Sequence, residues 1–291
     1  MRANPLRALL GASIFCLSIL LQPAAARAAG RSAVVDDDLA CPGAAFSDLQ
    51  AAIDFVGAGP GTITVCPGTY RGQFQIHDAA DVQLIGAKGA IIAPSFATSP
   101  RFTGVLLDVE RSTGVTVQGL AFDGEGALQT FGDPNAIEFF DASGTIQRNT
   151  VVNWHRPGFA LPDVVNGNPA GRLHAIHAIG FTAFSGGRPV KVVHNTIAGY
   201  QEHAIDLEGD LAVAVVGNKL TAGLPPVDPG TFTQGITLQP ASVASPTSPR
   251  GLVKSNSVTG HGGSSGSNTI DSGILARQAG GLTIAGNTLT H

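Results

Sequence analysis

The sequence predicts an all-β fold made of stacked copies of one short unit, a solenoid of about eight coils with a short helix over its first end. Three observations predict it. A strand-corner-strand segment centred on one position recurs along the chain, a second short strand precedes every copy, and the residues that break the regularity gather into inserts at a single corner. Self-similarity of this kind is read before any chemical motif, because a missed repeat misreads the whole fold.

The copies are VTVQGLAFDG (115–124), GTIQRNTVVN (144–153), VKVVHNTIAG (190–199), AVAVVGNKLTAG (212–223), GLVKSNSVTG (251–260) and GLTIAGNTLTH (281–291). Their common position is Leu120, Asn149, Asn195, Asn218, Asn256 and Asn287. Three residues earlier stand Val117, Ile146, Val192, Val215, Val253 and Ile284, and two residues later Phe122, Val151, Ile197, Leu220, Val258 and Leu289. Apolar residues at strand period on either side of a corner predict two strands per copy. The upstream strands are GVLLD (104–108), AIEFF (136–140), AIHAI (175–179), AIDLE (204–208), GITLQ (235–239) and GILAR (273–277).

Such a unit cannot bury its apolar face alone, so it stacks on copies of itself with successive strands parallel. The pattern resembles the right-handed parallel β-helix, or pectin-lyase-like, family of secreted proteins, over most of residues 60–291. The resemblance implies a single-stranded right-handed parallel β-helix. It permits both polysaccharide lyases and glycoside hydrolases. The Asn column reads as architecture: an inward Asn at each corner satisfies backbone groups and reaches the Asn of the next coil, about 4.8 Å away.

The remaining boundaries follow from composition. MRANPLRALLGASIFCLSILLQPAAARAAG has a basic start, an apolar run from Ala8 to Leu21 and the small-residue site Ala26-Arg27-Ala28, which predicts a signal peptide over 1–28 and a secreted or periplasmic protein. No later segment has the length of an integral membrane span. Residues 29–60 read as a leader, with DDD at 36–38, and a cap helix in FSDLQAAIDFVGAG (46–59), where Ser47 and Gln50 form a capping box and Leu49, Ile53 and Val56 an apolar stripe. The β-helix domain takes 61–291. With Cys16 lost in the signal, Cys41 and Cys66 are expected to pair as a disulfide that holds the cap on the first coil. Two readings fit the strand that runs to His291 without a cap: a truncated sequence, or a last coil that meets a partner. Otherwise a monomer is expected.

Loss of Arg2, Arg7 and Arg27 with the signal leaves 14 basic against 21 acidic residues, a formal charge of −7 with histidines neutral. Bulk attraction to nucleic acid or to an anionic membrane is therefore not expected.

The inserts 124–133, 154–174, 200–203, 223–233 and 261–270 all precede the upstream strand of the following unit, so they are expected to wall one sheet and make its outer face the floor of a groove. Period-two alternation assigns that floor to a column of Leu106, Glu138, His177, Asp206, Thr237 and Leu275, with Asp108, Phe140, Ile179, Glu208, Gln239 and Arg277 beside it. Glu138 and Asp206, two coils apart, are about 9–10 Å from each other, near the separation of about 6.5–9.5 Å that inverting glycosidases need for a water between acid and base. In the alternative chemistry the carboxylates hold calcium against a uronate while His177 or Arg277 removes the C5 proton. Catalytic candidates are thus Asp206, Glu208, Glu138, His177 and Arg277. Trp154, Phe140, His155, His203 and Gln239 are candidates for binding polysaccharide, with Phe131 and Phe159 as further platforms.

His155, His174 and His203 flank one corner without zinc-motif spacing, and no metal role is expected of them. His261 in GHGG is similar to the Gly-His-Gly element of polygalacturonase-like hydrolases, but their paired aspartates and Arg-x-Lys do not accompany it, and a glycine-rich loop is the better reading. The competing class is a noncatalytic scaffold, such as an adhesin or an envelope accessory protein.

Overall fold

The computed structural model describes residues 30–95, 104–126, 134–155, 164–165, 168–169, 172–181, 188–223, 232–242, 247–260 and 270–290. The predicted signal peptide, Phe131, Phe159, His261 and most of the insert residues lie outside them. The chain forms a right-handed parallel β-helix. Among the described residues three parallel sheets of nine, eight and seven strands run along the stack, and each complete coil contributes one strand to each sheet in turn. Inside the insert between Trp154 and Leu173, Val164–Val165 pairs antiparallel with Asn168–Pro169.

The six copies fall into register as their sequences require. Ile146 pairs with Val117 and with Val192, and Val151 pairs with Phe122 and with Ile197. All of these side chains are fully buried. Burying one such aliphatic side chain stabilises the fold by about 1.5–3 kcal/mol, so the central stack is the main source of stability. In the last coil Ile284 and Leu289 stay exposed, because among the described residues no further strand lies on that side.

At the corner, the Asn column is a continuous ladder. Oδ1 of Asn195 accepts from both the backbone N and the Nδ2 of Asn149, at 3.0 and 3.2 Å, while Nδ2 of Asn195 donates to Ile146 O at 2.9 Å and to Asn218 Oδ1 at 3.0 Å. The pattern repeats through Asn218, Asn256 and Asn287. It begins below at Leu120, whose backbone N donates to Asn149 Oδ1 at 3.1 Å. The residue just before the ladder position always has left-handed backbone, at Gly119, Arg148, His194, Gly217, Ser255 and Gly286. That sharp reversal turns the Asn amide inward, where the corner backbone has no strand partner of its own.

The first end departs from expectation in two ways. Arg31–Val35 is itself a strand, pairing residue by residue with Gly61–Val65, so the nine-stranded sheet begins ahead of the expected repeat and Asp36 is buried rather than in a loose leader. The helix spans Leu49–Val56, and its N-cap is Asp48, whose carboxylate accepts from Ala51 N, instead of Ser47. Either side chain suits an N-cap, and the extended backbone at Asp48 makes the choice. Gln50 instead ties the helix to the first coil, accepting from Gln75 N at 2.8 Å and donating to Gln75 O at 3.1 Å. Leu49, Ile53 and Val56 are buried as expected. The Cys41–Cys66 disulfide joins the segment before the helix to the end of Gly61–Val65. Among the described residues no helix is long and apolar enough to cross a membrane.

Candidate functional site

The outer face of the seven-stranded sheet carries the polar cluster. In its central strands the regular alternation is broken. Ala136 and Ile137, Ala175 and Ile176, and Ala204 and Ile205 are all fully buried neighbours. The fourth strand in this series has Gly235 and Ile236, and a Cβ on Gly235 would come within 2.3 Å of Val258 Cγ1, so that position also faces the core. Two consecutive inward residues put the side chains three apart on the same outer face. One outer column is therefore Asn135, His174, His203 and Gln234, and the other is Glu138, His177, Asp206 and Thr237, in the register given by the strand pairs.

Continuation of the second column past Glu138 corrects the expected register. Asp108, not Leu106, pairs with Glu138, and Glu110 pairs with Phe140. Leu106 is fully buried in the core. GVLLD lacks the small residue that marks the inward pair in the other strands, so nothing in its composition reveals the two-residue offset. Beyond it His77 lies 3.5 Å from Asp108 and 3.6 Å from Glu110, a separate half-buried group at the first end of the sheet.

In the middle coils the two columns interlock. His177 Nδ1 donates to Glu138 Oε1 at 2.9 Å. Asn135 Oδ1 accepts from His174 Nδ1 at 2.8 Å, and the rings of His174 and His177 stack with centroids 4.7 Å apart. His174 Nε2 is 3.3 Å and His203 Nδ1 3.9 Å from Asp206 Oδ2. Gln239 Nε2 donates to Glu208 Oε1 at 2.7 Å and to Asp206 Oδ2 at 3.4 Å. The Asp206 side chain is 0% exposed, so the aspartate expected on an open groove floor is sealed beneath its neighbours, because the column of His174 and His203 lies over it. Its Oδ1 and the Nε2 of His177 are buried and have no hydrogen-bond partner among the described residues.

Burial and charge push these groups apart. Burial by itself would raise the Asp206 carboxyl, but the hydrogen bond and charge of His174, with His203 and His177 behind it, hold it down at about 2. Burial lowers His203 to about 3. For His177 the burial penalty is outweighed by the Glu138 hydrogen bond and the Asp206, Glu138 and Glu208 carboxylates, and its value rises. Glu138 falls, since the His177 contact outweighs its burial. Burial, then the Asp206 charge, raises Glu208. A cluster whose members are driven in opposite directions is the usual setting for acid-base chemistry.

The cluster thus gathers Glu138, His177, His203, Asp206, Glu208 and Gln239 from the expected set. Phe140 stands at its half-buried margin, ring-paired with Phe181 at 5.5 Å, and Phe181 is 41% exposed. Three expectations are corrected. Trp154 is fully buried, its Nε1 donating to Pro134 O at 3.1 Å, so it is core and no sugar platform. His155 packs on Gly126, and among the described residues no hydrogen bond or ion pair joins it to the cluster. Arg277 follows Leu275 and Ala276 on the strand paired to Thr237 and Leu238, yet its side chain is exposed and forms no ion pair with the carboxylates among the described residues. The sequence reading missed Asn135, Gln234 and Phe181 and assigned His174 no role. The repeated small-Ile pair in NAIE, HAIH, HAID and QGIT is the signal that could have found the extra column.

No protein-family model matches the chain, and no curated protein matches it. Among solved structures it is similar to pectin methylesterase PemA from Erwinia chrysanthemi at 10% identity, covering 82% of this chain and 80% of that one with a TM-score of 0.41. It is also similar to ORF18 of Geobacillus virus E2 at 10% identity, covering 78% and 57% with a TM-score of 0.39. A third is the A-module of the Azotobacter vinelandii mannuronan C-5 epimerase AlgE6, at 15% identity, covering 83% and 94% with a TM-score of 0.25. None of these likenesses bears on chemistry.

Proposed function

We propose that the protein is secreted and acts on an acidic polysaccharide, with His177 as the base that removes the proton beside a uronate carboxylate. The observation that carries this is the place of His177. It stands between Glu138 and Asp206 in the sheet register, its Nδ1 tied to Glu138 at 2.9 Å and its buried Nε2 left without a hydrogen-bond partner among the described residues. A carboxylate on one ring nitrogen fixes the imidazole's orientation and leaves the other nitrogen for proton transfer, a step that requires the groups covering Nε2 to move aside when substrate binds. The same ring occupies the space in which an inverting hydrolase would hold its water between the two carboxylates, so proton abstraction is favoured over hydrolysis by that pair.

In the proposed step His177 Nε2 takes the proton from C5 and the C5–H electron pair forms the C4=C5 double bond. The C4–O bond breaks, and its oxygen takes a proton, for which Glu208 is the carboxyl at the open edge of the same face. Phe140 and Phe181 supply an apolar platform at that edge. The Cys41–Cys66 disulfide supports an oxidising compartment.

The test is to incubate the purified protein with polyuronates and with neutral polysaccharides, following both absorbance from new C=C bonds and reducing ends. New absorbance that disappears in His177→Ala is expected. Reducing ends without absorbance would replace this reading with hydrolysis, and neither cleavage nor binding of any polysaccharide would replace it with a scaffold.

A further inference from the structure

We propose that His174, His203 and Asp206 form a binding site for one divalent first-row transition-metal ion, with Zn²⁺ as the reference occupant. This goes beyond the polysaccharide reading and does not depend on it.

The three side chains are spaced as the ligands of one ion would be. The three side chains come from two paired strands, each offers one ligand atom within 4.8 Å of the others, and all three are buried. In a tetrahedral zinc site, metal-ligand distances of about 2.0–2.1 Å place ligand atoms about 3.3 Å apart. His174 Nε2 and Asp206 Oδ2 already stand at 3.3 Å. His203 Nδ1, at 3.9 Å from Asp206 Oδ2, needs a short rotation that gives up one long 3.3 Å contact to Thr237 Oγ1.

The surroundings settle which atoms face the centre. Asn135 turns its amide nitrogen toward Glu138 and His177, so its oxygen accepts from His174 Nδ1 at 2.8 Å. Because Asn135 accepts at Nδ1, it is Nε2 of His174 that faces Asp206 Oδ2, and a cation bound between them would replace the proton of that contact. An outer carbonyl that fixes the tautomer of a ligating imidazole is the common second layer of metal sites. Gln239 Nε2 holds Asp206 Oδ2 from the other side at 3.4 Å. The second, independent observation is Asp206 Oδ1, a carboxylate oxygen on a fully buried side chain with no hydrogen-bond partner among the described residues. An oxygen left so costs free energy, and a carboxylate that binds the ion through both oxygens would satisfy it together with Oδ2. Two imidazoles and one carboxylate are the donor set of zinc and its neighbours in the first row, whereas calcium prefers six or more oxygens.

The experiment uses the untagged mature chain, stripped with a chelator and then dialysed separately against Zn²⁺, Co²⁺ and Ca²⁺. One Zn²⁺ or Co²⁺ per chain is expected, with Co²⁺ giving visible d–d bands of low-symmetry nitrogen and oxygen ligation. His203→Ala and His174→Ala should abolish the bands. Asn135→Ala, which touches no ion, should weaken affinity by about 10–100-fold. Circular dichroism of each variant shows whether it folds, and if the histidine variants do not, the wild-type spectrum and the Asn135→Ala shift still decide. Absence of stoichiometric Zn²⁺ or Co²⁺ in the wild type, binding unchanged in a folded histidine variant, or tight binding of Ca²⁺ alone would overturn the proposal. Polysaccharide cleavage is not a readout, so its absence leaves this result untouched.

Discussion

His177 on one coil and Glu138 on the next are joined by a 2.9 Å hydrogen bond across the seven-stranded sheet. The pair is the most defined acid-base element of the outer face, because both side chains are held by strand register rather than by an insert. His177→Ala is expected to lower the rate of polysaccharide cleavage by about 10²–10⁴-fold, the usual contribution of a positioned general base. Glu138→Gln should lie between that variant and the wild type, with kcat reduced and KM unchanged. Equal losses in substrate binding and turnover would mean that the pair holds substrate instead of moving a proton.

The Asn ladder gives a prediction about stability alone. In Asn195→Ala, the backbone N and Nδ2 of Asn149 lose their acceptor and Ile146 O loses the Nδ2 donor, while Asn218 Oδ1 keeps only the backbone N of residue 195, all of them at a buried corner. A cost of about 1–3 kcal/mol is expected. Chemical denaturation measures it, and an unchanged midpoint would contradict the ladder's structural role.

Removing the disulfide as Cys41→Ser with Cys66→Ala should cost about 3 kcal/mol by loop closure, given the 25-residue separation. The loss should begin with the cap helix, so hydrogen exchange in Leu49–Val56 should rise before that of the central coils. Labelling of both thiols in unreduced wild-type protein would show that the bond does not form.

Tyr70 sets a limit at high pH. Its hydroxyl lies 3.0 Å from both Val35 O and Cys66 O, and burial, then the Asp36 and Asp37 charges, push it up to about 12. A folded value above the unfolded value of about 10 favours the protonated form. Its contribution to stability is therefore present below pH 10 or so and lost as pH climbs through about 12. Denaturation midpoints should fall over that window in the wild type and fall less steeply in Tyr70→Phe, with phenolate absorbance reporting the ionisation.

Gly235 tests the broken alternation directly. A methyl there would meet Val258 Cγ1 at 2.3 Å and Gly273 O at 2.6 Å, whereas one on Gly280 meets nothing within 4 Å. Gly235→Ala should destabilise by about 1–3 kcal/mol through overpacking, and Gly280→Ala should stay within about 0.5 kcal/mol. Equal effects would mean that position 235 does not face the core.

These cases divide the protein into what linear order determines and what it does not. The apolar pairs around Asn149, Asn195, Asn218, Asn256 and Asn287 recur at fixed offsets, so the stacking, the parallel sheets, the buried Asn column and the Cys41–Cys66 pairing are legible in the sequence; only stacked copies can bury both flanking strands. The outer face is different. Period two places His177 and Asp206 in one column but cannot bring His174, His203 and Asn135 beside them, because that depends on two consecutive residues, Ala and Ile, both turning into the core. The offset of Asp108 onto Glu138, the burial of Trp154 and the sealing of Asp206 are likewise not written in the local sequence. Each is set by how closely one sheet approaches another or by what packs over a corner, and those distances exist only once the coils are stacked.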